Sequence, residues 1–296
     1  MSSPNPYTTV MERAALALHL PRRRRVANRR VLLASFVIAV VALVAIVVAG
    51  RVVFDAATAT DFSQKNLAPS PAHLFGTDWM GRDMFLRTVA GLSTSVLVGL
   101  LAASVSAAVA LVLASIAALG GKRADAVVTW LVDLFMGIPH IVLLILISYA
   151  LGKGFWGVTI AVAVTHWPSL TRVLRAEILQ CRESSFVAHA RKFGVGLARI
   201  ALTHMVPYVF PQFLVGLILL FPHAIMHEAA ITFLGFGLSR DVPAIGVILS
   251  ESMSYLSAGM WWLAVFPGIA LILTVMLFDV AGSSLRRLID PHSSQE

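Results

Sequence analysis

The stretch from Val31 to Ala49, VLLASFVIAVVALVAIVVA, contains no charged residue. A helix of about 20 such residues, rising 1.5 Å each, crosses the ~30 Å hydrocarbon core of a bilayer. In lipid, only a helix or a closed barrel satisfies every backbone N–H and C=O group. The preceding PRRRRVANRR, residues 21–30, is basic, as the start of a secretory signal would be. A cleaved signal, however, has an apolar region of only ~7–15 residues. The run therefore reads as an uncleaved first span with the N-terminus inside.

Further apolar runs lie at 92–119, 127–151, 155–171, 208–236 and 260–285. Polar breaks separate them: GGKRAD at 120–125, LGKGFWG at 151–157, a basic region at 182–207, and GLSRDVPAIG at 237–246. Period-two alternation at ~10-residue spacing does not recur, which argues against a transmembrane barrel. Charged residues make up 13% of the chain and hydrophobic ones 58%. That is too little polarity to cover soluble domains, which carry about a quarter charged residues. The expected fold is an all-α polytopic membrane protein with about six transmembrane helices and both termini on one side. Charge placement fixes the orientation. Of the 23 lysines and arginines, only Arg51, Lys65, Arg82, Arg87, Lys153 and Arg240 fall on the expected outside. Positive residues concentrate on the cytoplasmic side of membrane proteins.

The basic break contains FVAHARKFGVGLARIALTHMVP, residues 186–207. As a helix, Phe186, Ala190, Phe193, Leu197 and Ile200 form one apolar stripe, with Arg191, Lys192 and Arg199 off it. Gly194 and Gly196 disfavour one straight helix, so two short helices joined near a C-cap at Gly194 are expected. Pro207 should mark the break before the next span. Such a segment either lies on lipid headgroups or fills a groove on a cytoplasmic partner.

These residues resemble the EAA loop of ABC-importer permeases. Ala188, His189 and Ala190 stand at the E-A-A positions, Gly194 at the family glycine and Pro207 at the closing proline. Ala188 replaces the signature glutamate and His189 its first alanine. HLFGTDWMGRDMFLR, residues 73–87, resembles the GTDxxGRD stretch of the C-type subunit of dipeptide, oligopeptide and nickel permeases. Gly76, Thr77, Asp78, Gly81, Arg82 and Asp83 carry that match. HEAAITFLGFGL, residues 227–238, resembles a later segment of the same subunit.

The resemblance implies an ABC type I importer permease moving peptides or nickel and other metal chelates. It divides the chain into a cytoplasmic basic segment at 1–30, a first transmembrane helix at 31–53 and an external segment at 54–91. A permease core at 92–290, with the EAA-like loop at 182–207, and a cytoplasmic tail at 291–296 follow. The implied partners are a homologous B-type permease, two cytoplasmic ABC ATPase subunits, an extracytoplasmic substrate-binding protein and membrane lipid. Phe186, Ala188, His189, Ala190, Phe193, Gly194, Leu197 and Pro207 become candidates for coupling to the ATPases. Gly76, Thr77, Asp78, Gly81, Arg82 and Asp83 become candidates for an external gate or a binding-protein contact. Read by chemistry alone, Thr77 or Asp78 could cap a helix, Gly76 and Gly81 permit positive φ, and Arg82 and Asp83 could pair with other charges.

Ionisable groups inside spans face a bundle interior or a cavity. His223 and His227 are four apart on one face and could bind a transition metal. Glu228 adjoins them but points about 100° away. A polar lining of the translocation path by His223, His227 and Glu228 is the favoured reading, with helix–helix hydrogen bonding beside it. Pro139 beside His140, and Pro168 just after His166, predict kinks. Asp133 and Asp279 fall near cytoplasmic ends, within reach of arginines. No metal site and no catalytic residue is expected. Without a GxxxxGK[ST] loop, this chain holds no nucleotide by that route, and ATP and Mg belong to the partner ATPases. A metal-dependent membrane hydrolase and a non-transporting scaffold are the alternatives. Nucleic acid is not an expected partner. The lone Cys181 reads as a bystander thiol.

Overall fold

The computed structural model describes residues 29–289, and the expected basic segment up to residue 28 and the tail from residue 290 lie outside that range. The long helices are α1 (Arg29–Val52), α3 (Met84–Leu119), α10 (Val206–Phe233) and α12 (Trp262–Ile289). Between them run α2 (Phe54–Thr58), α4 (Gly121–Gly137), α5 (His140–Ala150), α6 (Gly154–Thr165) and α7 (Trp167–Arg182). The shorter α8 (Ser185–Lys192), α9 (Leu197–Ile200) and α11 (Ile245–Leu256) complete the order. Among the described residues the β-structure is a single isolated bridge, Thr77 to Asp83.

Among the described residues, four helices are long and apolar enough to cross a membrane, or five if the bent pair α4–α5 is one span. The pair bends by 94° around Ile138 and Pro139, because proline removes a backbone donor and its ring clashes with the preceding turn. The expected span at 155–171 is divided at His166 into α6 and α7. Pro168 sits in the first turn of α7, where a missing N–H costs nothing. Neither half alone is long enough to span. α3 begins at Met84, well before the expected 92, because Asp83 caps it by accepting from the N–H groups of Phe85 and Leu86. α11, inside the stretch after GLSRDVPAIG, was not expected.

α3 is the central post. α10, α7, α1 and α6 all pack on it. Its inward face is built from small residues: Ala103, Ala107, Ala110, Ala114 and Ala118 are completely buried. Without a hydrophobic driving force between helices in lipid, close backbone approach supplies the van der Waals contact that holds them. Gly99 lets α10 approach so closely that a Cβ there would overlap Ile225. α1 is packed against α3 and α12 but presents Val37, Ile38, Val41 and Val44 outward, as a helix facing lipid should.

The chain gathers its breaks at two ends. At the Gly194 end, Arg182 donates to the Ala118 carbonyl at 2.8 Å and Arg175 grips Asp125 through both carboxylate oxygens. Arg172 pairs with Asp133 at 2.5 Å, as expected for that aspartate. Both partners are about half exposed, so the pair adds little stability. At the Gly81 end, Gly154 donates to the Gly237 carbonyl at 3.0 Å, and the Ser148 hydroxyl donates to the Phe236 carbonyl at 2.7 Å. These bonds tie the α5–α6 turn to the loop after α10.

Candidate functional site

A cavity of about 840 Å³ lies between α4, α5, α7 and α10 and extends to Arg286 near the end of α12. Its wall is mostly apolar, with polar groups from Ser169, Gln212 and four histidines: His140, His166, His223 and His227. The two helix breaks create it. Where α4 turns at Pro139 and α6 gives way to α7, His140 and His166 come to face His227 on α10. The three rings meet edge to face, with centroids 4.6 to 5.0 Å apart. His166 Nε2 lies 3.2 Å from His227 Nδ1. His223 lines the same cavity but is exposed and stands outside this trio.

The grouping differs from that expected. His223 and His227 do share a face of α10, yet His227 finds its neighbours on other elements. Glu228 does not line the cavity. It is completely buried, and accepts from the Thr232 hydroxyl at 2.9 Å. Thr232 in turn accepts from the Leu238 N–H at 3.2 Å, so Glu228 braces the end of α10 and its following loop. The reason is the ~100° rotation per residue, which turns position 228 away from the face that carries 223 and 227. His140 and His166 were read as kink neighbours. Their signal in the sequence was a histidine beside a proline inside an apolar run, given twice.

The GTDWMGRD loop is built inward. Gly76, Thr77, Asp78, Gly81 and Arg82 are buried and Asp83 is half-buried. Asp78 takes four hydrogen bonds: backbone N–H groups of Met80 (2.9 Å) and Arg82 (3.0 Å), Arg82 Nε (2.6 Å) and Arg87 Nη1 (3.0 Å). Glu251 of α11 closes the network, at 2.7 Å from Arg87 and 3.3 Å from Arg82. Arg82 therefore pairs within the chain. The Thr77 hydroxyl accepts from the Leu67 N–H and donates to the Gln64 carbonyl, so neither Thr77 nor Asp78 is a helix cap. Asp83 has that task and also binds His73 Nδ1 at 2.7 Å. Gly76 and Gly81 adopt φ of +73° and +74°. A Cβ on Gly81 would fall on the Asp61 carbonyl. With their side chains folded inward, these residues present little of themselves to solvent. What the loop exposes is Trp79, above a groove of about 560 Å³ that Arg240, Asp241 and Tyr255 also line.

At the opposite end, α8 is followed by the expected glycine turn. Gly194 has φ +77°, its N–H reaches the Arg191 carbonyl, and Val195 reaches Ala190. Pro207 does not break the chain. It sits in the first turn of α10, which a π-helical turn at Ala201–Met205 joins to α9. The stripe also divides. Ile200 is buried, Ala190 is half-buried, and Phe186 and Phe193 are exposed at 43% and 84%, while Val187, off the stripe, is buried. Ala188 and His189 are exposed, and His189 Nδ1 faces the Ser185 carbonyl at 2.6 Å. No other large hydrophobic residue among those described is as exposed as Phe193. Cys181 is buried beneath this segment, and desolvation pushes its thiol up from the ordinary range, as suits an inert group.

A discontinuous helical bundle encloses a mostly apolar cavity that carries a histidine cluster, with an amphipathic platform at one end and a buried ionic clasp at the other, an architecture that suits a membrane transport subunit. The family model for the binding-protein-dependent transport system inner membrane component matches residues 110–295. A Brucella suis biovar 1 protein provisionally named a peptide permease protein is 36% identical over 79% of this chain and 78% of its own length. The Bacillus subtilis dipeptide transport system permease protein is 31% identical over 77% of this chain and 72% of its own. A second Brucella suis protein, provisionally named a peptide transport system permease protein, is 33% identical over 92% of both chains. The chain belongs to this family of multi-pass inner-membrane transport components, the ABC-importer permeases that its motifs resemble.

Proposed function

We propose that this chain is one of two transmembrane subunits of an ATP-driven importer for small peptides or metal chelates, corresponding to the C-type subunit. Its partners are a homologous B-type permease, two cytoplasmic ATPases holding ATP and Mg, and an extracytoplasmic substrate-binding protein. The Gly194 end is cytoplasmic and the Gly81 end external. The names of its relatives support peptide as cargo. Arg286, in the wall of the cavity, is suited to a cargo carboxylate.

The observation that carries this reading is the exposed Phe186–Phe193 face on a short helix whose other side, through Val187, is locked to the bundle. An apolar face flanked by Arg191 and Lys192 fits a groove on a soluble subunit. Movement of that subunit tilts α7 and α10, which flank the segment and wall the cavity. The ATPases drive transport only through different affinity for the two arrangements of these helices. Glu228, Thr232 and the Asp78–Glu251 clasp hold the external end shut when the cavity faces inward.

The test is purification of the native chain through a non-histidine tag from its own membrane, beside Phe193→Asp. A P-loop ATPase and a second permease should accompany the native chain, and the ATPase alone should be lost from the variant. Recovery of no ATPase under conditions that preserve another importer of this family would refute the reading.

A further inference from the structure

We propose that His140, His166 and His227 form a binding site for a borderline divalent transition-metal ion in the wall of the cavity. The inference rests on the cavity being the transport path, and deepens that reading by naming a metal among its cargo.

Three imidazoles from three separate elements converge here, and their ligand nitrogens all lie within 4.8 Å of one another. Metal–nitrogen bonds of 2.0–2.1 Å in a tetrahedral site set neighbouring nitrogens about 3.3 Å apart. Closing the widest separation takes about 1.5 Å, within reach of side-chain rotation at these tetrahedral distances.

The surrounding carbonyls set the tautomers. His166 Nδ1 faces the Val162 carbonyl at 2.9 Å, and His227 Nδ1 faces the His223 carbonyl at 2.8 Å. A carbonyl only accepts, so each Nδ1 carries the proton and each Nε2 keeps its lone pair. Protein ligands to metals are oriented in this way, with the distal ring N–H on a backbone carbonyl. Imidazole selects nickel, copper, cobalt and zinc over magnesium and calcium, which take oxygen. Neutral donors also suit a wall on which no carboxylate is found and Arg286 is the charged residue. Such a wall leaves the charge of the ion to be balanced by anionic groups on the cargo itself. Three protein ligands leave a fourth position toward the cavity, so the ion can exchange.

Cobalt(II) is the probe, added to the purified intact complex carrying a tag free of histidine. The expected result is one cobalt per chain, with the visible absorption of a low-coordinate site. His140→Gln, His166→Gln and His227→Gln should each weaken binding by at least about tenfold, the scale on which loss of a metal's supporting groups is felt. His140→Cys should restore binding and add a sulfur-to-cobalt charge-transfer band, which a structural role for His140 would not produce. In the native chain, cobalt should protect His140 from diethylpyrocarbonate. Absence of stoichiometric binding, or binding indifferent to all three glutamine variants, overturns the proposal. An ATPase-bearing complex that ignores cobalt sinks the metal site alone; a cobalt-binding chain that recruits no ATPase sinks the importer reading alone.

Discussion

Replacement of Asp78 by alanine should be among the most damaging single changes in the chain. The side chain takes two bonds from backbone N–H groups and two from guanidiniums. Arg87 is 3% exposed and Arg82 10%, so water cannot take over the lost role. Breaking a buried pair by deleting one partner costs about 3–5 kcal/mol, because the other charge stays buried. Asp78→Asn keeps an oxygen for the two backbone donors and loses the charge, and should cost about 2 kcal/mol, in the range of a charged hydrogen bond. Glu251 is 16% exposed and lacks the backbone bonds, so Glu251→Gln should cost about 1.5 kcal/mol, the low end of that range. The double variant Asp78→Ala/Glu251→Gln should depart from additivity by more than about 0.5 kcal/mol, because both carboxylates serve the same two arginines. Equilibrium unfolding in mixed micelles measures all four. A loss below about 1 kcal/mol for Asp78→Ala, on the scale of a surface pair, would refute the picture of a dry clasp.

Gly81→Ala forces a left-handed φ on a Cβ that meets the Asp61 carbonyl. It should cost more than the ~1–2 kcal/mol of the backbone conformation alone and open the 54–83 loop to limited proteolysis. Gly99→Val overpacks the α3–α10 contact at Ile225 and should destabilise by about 1–3 kcal/mol, read by the same unfolding assay. Phe193→Asp should leave stability within about 0.5 kcal/mol, since its ring is 84% exposed, while abolishing ATPase capture. Cys181 should react with maleimide only as the chain unfolds, and rapid labelling of the folded protein would contradict its burial.

Much of the bundle was legible because lipid imposes one rule on every span. The run from Val31 gave α1 almost to the residue, and Pro139 and Pro168 announced the two breaks. Gly194 gave the turn after α8, since only a glycine takes that φ without strain. The loop residues Thr77, Asp78 and Arg82 were found, but their direction was not. A polar motif between spans reads equally as a surface or as a buried clasp until Glu251, far away in sequence, is placed beside it. The same limit hid the histidine trio. Spacing along one helix joined His223 to His227, whereas the contacts of His227 come from two other helices turned by prolines. Phe193 and Ile200 share a stripe by periodicity, but the turn at Gly194 redirects the chain between them, so one is exposed and the other buried.

The central claim is that the cavity between α4, α5, α7 and α10 is a path whose access alternates. Ser169 lines it and differs from cysteine by one atom, so Ser169→Cys in a Cys181→Ser background places a probe on its wall. Labelling by a membrane-impermeant thiol reagent should be measured from each side of sealed vesicles holding the intact complex. With the ATPases at rest, reaction should come from the cytoplasmic side, and with them trapped closed by vanadate, from the external side. Labelling that stays on one side in both states would contradict the account.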